Sequence, residues 1–80
     1  MALRFIGIDP GSEHGGCPSV WVDGTDGSFV IQGWEVDDPA ELAEVEARSP
    51  IARNEKIVRI PARMRDLLME ACGDGGTDVR

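Results

Sequence analysis

Two apolar runs, Ser19-Val20-Trp21-Val22-Asp23 and Phe29-Val30-Ile31-Gln32-Gly33-Trp34-Glu35-Val36, flank the connector Gly24-Thr25-Asp26-Gly27-Ser28. This arrangement restricts the fold more than any other feature of the chain. A short connector rich in Asp and Gly reverses the backbone without a crossover, so the two runs are expected as an antiparallel hairpin. The two-residue period of a strand sets Val20 and Val22 against Trp21, and Phe29 and Ile31 against Val30 and Trp34. Both faces of the sheet are therefore apolar, and both need covering.

The remaining elements follow from local chemistry. Residues 4–8 read as a first strand stopped by the turn residues Asp9-Pro10-Gly11-Ser12, and the glycine-containing loop to Pro18 holds the one histidine, His14. Asp38, Pro39 and Glu41 form a helix start of cap, first-turn proline and capping-box acid. That helix is expected to run to about Arg48 with a thin stripe of Leu42 and Val45, and so to lie at the periphery. Ile57-Val58-Arg59-Ile60 reads as a fourth strand. From Pro61 onward, Met64, Leu67, Leu68, Ala71 and Cys72 follow the spacing of one buried helical stripe, which Gly73 is expected to stop.

The expected fold class is thus α+β: a small antiparallel sheet of three to four short strands, a C-terminal amphipathic helix and a short peripheral helix. Residues 1–73 form a single domain in this reading, and residues 74–80 a disordered tail.

Eighty residues bury only about 60% of the surface that the unfolded chain exposes, so the core alone gives marginal stability. A net charge of −7 disfavours direct nucleic-acid binding. The charge is uneven: up to Ala47 there are ten acidic residues and only Arg4 is basic, whereas from Arg48 onward five acidic residues accompany seven basic ones. Such asymmetry can orient a protein partner or a second copy. No apolar run approaches the ~20 residues that span a bilayer, and the N-terminus reads straight into a strand pattern, so a cytoplasmic protein is expected. There Cys17 and Cys72 are expected as buried thiols rather than a disulfide.

Few residues suggest chemistry. Ile6-Gly7-Ile8-Asp9-Pro10-Gly11-Ser12 resembles the first strand of ribonuclease-H-like nucleases, including Holliday-junction resolvases. That resemblance implies a role for Asp9 in holding divalent metal, and it makes a minimal or degenerate metal-dependent nuclease the alternative function. The same glycine-flanked acid is similar to a phosphate loop of actin-like ATPases. Two-metal chemistry needs several converging carboxylates, and neither Asp66 nor Glu70 matches a missing acid, so the simpler reading is a strand-ending turn. His14 and Cys17 have a metal-like spacing, yet a structural zinc site takes four N or S ligands and the chain has one histidine and two cysteines. No cofactor, metal or catalytic residue is assigned.

Partner-binding candidates are Trp21 and Trp34, of a type enriched at interface hot spots, and Arg59 and Arg63 from the basic group that also includes Arg53, Lys56 and Arg65. One tryptophan is expected in the core and the other partly exposed. Arg63 lies off the helical stripe and is expected to face solvent or a partner.

The run Phe5-Ile6-Gly7-Ile8-Asp9-Pro10, then Cys17-Pro18-Ser19-Val20-Trp21-Val22-Asp23, Val30-Ile31-Gln32-Gly33-Trp34 and Val58-Arg59-Ile60-Pro61-Ala62-Arg63-Met64, resembles short actinobacterial proteins of unknown function that accompany helix-turn-helix regulators. The layout is also similar to the small BldB-like family of developmental regulators. This resemblance implies a non-enzymatic accessory of a transcription regulator, developmental or antitoxin-like, that acts through protein contacts. A homodimer is expected, without direct nucleic-acid or membrane contact.

Overall fold

Alternation along residues 19–23 resolves into a strand whose Val20 and Val22 are buried while Trp21 turns to the other side. The computed structural model describes residues 2–11 and 16–76, with side chains to residue 73. His14 and the last four residues of the expected tail lie outside the described residues. The elements are β1 (Leu3–Ile8), β2 (Ser19–Asp23), β3 (Phe29–Gln32), β4 (Trp34–Glu35), α1 (Pro39–Arg48), β5 (Val58–Arg59), a 3-10 turn (Ala62–Met64) and α2 (Arg65–Gly76). β1, β2 and β3 form an antiparallel sheet in that order, and β4 pairs antiparallel with β5 in a second, two-stranded sheet. The fold is α+β, as expected.

The hairpin closes through its own turn chemistry. The Asp23 N–H donates to the Ser28 carbonyl and the Gly27 N–H to the Asp23 carbonyl, each at 2.8 Å. The Asp26 carboxylate accepts from the Ser28 N–H at 2.9 Å and from its hydroxyl at 2.6 Å. Gly27 takes φ +80°, a left-handed conformation that glycine adopts without steric cost.

The expected single strand over residues 29–36 is broken at Gly33. A Cβ there would lie 2.9 Å from the Arg59 carbonyl oxygen and 3.1 Å from the Val58 Cβ, so the glycine admits β5 close against the chain. Beyond it Trp34 pairs with Arg59, and Glu35 with Val58.

α1 starts as the sequence predicts: the Asp38 carboxylate accepts from the Glu41 N–H at 3.0 Å, with Pro39 in the first turn. No residue of α1 is buried, in keeping with a peripheral helix. The C-terminal helix departs from expectation at both ends. Pro61 opens a 3-10 turn before α2 begins, and α2 runs through Gly73 to Gly76. Gly73 does not adopt the positive φ of a helix-ending glycine, and a glycine inside a helix costs only about 1 kcal/mol.

The core consists of Val20, Val22, Met64 and Ala71, flanked by Ile6, Ile60, Leu67 and Leu68. α2 packs on one face of β1 and β2. Cys72 is exposed, not buried, because it stands about 100° further round the helix than Ala71. Cys17 is half-buried, and neither cysteine is in a disulfide. Among the described residues no helix is long and apolar enough to cross a membrane.

Candidate functional site

Side chains directly opposite each other in an antiparallel pair project from the same face. Val20 and Val22 face α2, so Trp21 and its cross-strand partners Phe5 and Val30 face away from it. Leu3 pairs with Asp23 and, beyond a bulge between Phe5 and Gly7, Ile8 pairs with Ser19, which adds Leu3 and Ile8 to this outer face. Phe5 is 52% exposed, Ile8 50%, Leu3 42% and Val30 40%. α2 lies on the opposite side, and these side chains stay exposed.

The face is ordered within itself. The Phe5 and Trp21 rings meet edge to face with centroids 5.0 Å apart, a favoured aromatic geometry. The Trp21 Nε1–H donates to the Ser19 Oγ at 2.9 Å, and the Ser19 hydroxyl donates to the Gln32 Oε1 at 2.8 Å. The indole donor is thus satisfied inside the sheet. A partner can cover the face without stranding that donor.

A second constellation gathers at the end of β1. The buried carboxylate of Asp9, 2% exposed as a residue, accepts from the Arg63 Nε at 2.6 Å and from its Nη2 at 2.7 Å. The Gly11 N–H donates to the same carboxylate at 3.0 Å, and the Asp9 N–H donates to the Pro18 carbonyl at 2.9 Å. A Cβ on Gly11 would collide with the guanidinium, so glycine leaves the space that Arg63 occupies. The hydrogen bond to Asp9 raises the pKa of Arg63, with desolvation opposing it. Chemically this is a bidentate clamp that ties the loop after β1 to the turn before α2.

The four sequence-chosen partner residues are not brought to one place. Trp21 is half-buried on the outer face and belongs to neither the core nor open surface. Trp34 is exposed in β4, directly across from Arg59, and Arg59 is tied to Glu41 at 2.7 Å. Arg63 remains half-exposed, yet its charge is directed into the protein at Asp9. With Lys56 at 3.6 Å from Glu35, three residues of the basic group pair with acids of the first half of the chain. The charge asymmetry is therefore partly consumed internally.

Sequence reasoning missed Phe5, Ile8, Leu3 and Val30 as companions of Trp21. Period two in each strand places them, but only the cross-strand register unites them. Among the described residues no three His, Cys, Asp or Glu side chains gather as a metal site. Neither a family model, nor a curated protein, nor a solved structure matches this chain.

Proposed function

We propose that the chain is a non-enzymatic binding protein that docks another protein on the outer face of its sheet. The observation that carries this reading is the continuous apolar surface of Leu3, Phe5, Ile8, Trp21 and Val30. Apolar patches of this kind, rimmed by polar residues such as Asp23 and Gln32, mark interaction surfaces. The internally satisfied indole supports the reading further, since burial under a partner leaves no unpaired donor there. On the resemblance given above, the partner is a helix-turn-helix transcription regulator and the chain its developmental or antitoxin-like accessory.

The nuclease alternative draws no support from the site. Both carboxylate oxygens of Asp9 are engaged by Arg63, and a cation would have to displace that guanidinium.

A photo-crosslinking amino acid placed at Ile8 in the native cell tests the proposal, with the same group at exposed Ala43 of α1 as control. The expected result is an adduct with one other protein from position 8 and none from position 43. Adducts formed equally from both positions, or only between copies of this chain, would overturn it.

A further inference from the structure

The two edges of the three-stranded sheet differ in kind. β1 forms one edge and carries a charged residue, Arg4, and a bulge between Phe5 and Gly7, both devices that prevent an edge strand from pairing further. β3 forms the other edge and has neither. From Ser28 to Trp34 the chain bears no charge and no proline, and every residue of β3 is exposed.

Backbone alternation shows which groups are open. The Ser28 carbonyl accepts from Asp23 of the β2 hairpin arm, so residues 28, 30 and 32 direct their backbone groups at β2, and those of Phe29 and Ile31 point to the opposite edge. Further along, the Val36 N–H donates to the Ile57 carbonyl. That bond belongs to the separate β4–β5 pair, which begins beyond the break at Gly33. The outward edge of β3, with the backbone groups of Phe29 and Ile31, pairs with no strand among the described residues.

We infer that this edge pairs with β3 of a second copy, antiparallel and centred on Val30, to give a continuous six-stranded sheet. The register follows from the open groups. With Val30 opposite its own copy, Phe29 stands opposite Ile31 of the second chain, and the outward N–H and C=O groups of both residues are mutually satisfied. Phe29 and Ile31 then pack together on the α2 side, and the two Val30 side chains meet on the outer side. Shifting the centre to Ile31 would set Phe29 against Gly33, and a further step would set it against Glu35. In the Val30 register Glu35 faces Thr25 and Asp26 faces Trp34, so no two acids stand opposite one another. The register is self-complementary, which selects a second copy as the occupant. The inference does not depend on the outer-face partner, although such pairing would join two outer faces into one platform.

Two measurements test it on the full chain. With Cys17 and Cys72 replaced by Ser, Val30→Cys should oxidise to a covalent dimer, because residues opposite each other in a non-hydrogen-bonded pair lie about 4.5 Å apart at Cα, within disulfide reach. Phe5→Cys in the same background should not. In the unmodified protein the amides of Phe29 and Ile31 should be protected from hydrogen exchange to the same degree as those of Val30 and Gln32. Ile31→Pro, which removes an outward N–H and no bond to β2, should give a folded monomer in sedimentation. A wild-type monomer at submillimolar concentration, a dimer with freely exchanging Phe29 and Ile31 amides, or crosslinking through Phe5→Cys in place of Val30→Cys would each overturn the inference.

Discussion

Leu67 of α2 fills the space that Gly7 of β1 leaves by having no side chain: a Cβ on Gly7 would lie 2.5 Å from the Leu67 Cδ2 and 2.9 Å from its Cδ1. The Leu67 side chain therefore packs directly on the Gly7 backbone, where a Cβ would force it to shift. Gly7→Ala should destabilise the fold by about 1–3 kcal/mol, the usual range for overpacking. Leu67→Ala should relieve much of that loss, so that the double variant is less destabilised than the two single losses added together. Urea denaturation of the four proteins measures the coupling. Strict additivity would show that α2 shifts instead.

Asp9 and Arg63 make a different prediction because one partner is buried and the other is half in solvent. Arg63→Ala deprives the buried carboxylate of two hydrogen bonds, and an under-satisfied buried group of this kind costs about 1–3 kcal/mol. Removing both partners should cost less than removing Arg63 alone. Arg63→Lys supplies a point charge but not the fork, and should fall between wild type and Arg63→Ala. Thermal melting of these variants gives the order, and an equal loss in the single and double variants would refute the account.

The hairpin turn should leave a pH signature. The hydroxyl of Ser28, then its N–H, hold the Asp26 carboxyl below its ordinary value of 3.8. A depressed folded-state pKa contributes stability that is present above the unfolded value and is lost as pH falls through the folded one. The wild type should therefore exceed Ser28→Ala in stability above about pH 4, and the difference should shrink on further acidification. Asp26 is fully exposed, so the effect is small, and carboxyl-detected NMR titration of the two proteins reads it directly. A titration midpoint of Asp26 unmoved by Ser28→Ala would refute it.

What the sequence revealed was chemistry confined to neighbours. Asp38, Pro39 and Glu41 announce α1 because cap and acceptor lie within one turn, and the Asp-Gly connector announces the hairpin for the same reason. The outcome at Gly33 depends on the Arg59 carbonyl, which the chain brings up only after α1, so no local pattern marks the break between β3 and β4. Arg63 could be placed off the apolar stripe, but helical spacing says nothing about its partner at the far end of the chain, Asp9. Glu41 was legible as a capping acid, whereas its carboxylate in fact reaches Arg59. The outer face was legible as apolar character on both sides of the hairpin; its membership required the register of β1.

α1 buries no side chain and is fastened to β5 by the Glu41–Arg59 pair. A ten-residue helix is too short to persist in water by itself, and an exposed ion pair adds little. The free energy of opening α1 is thus set apart from that of the core, and α1 can unwind while Val20, Val22, Met64 and Ala71 remain packed. The molecule carries Glu41, Glu44 and Glu46 on an element without a buried side chain, so the acidic segment can open while the sheet and α2 that present it stay folded.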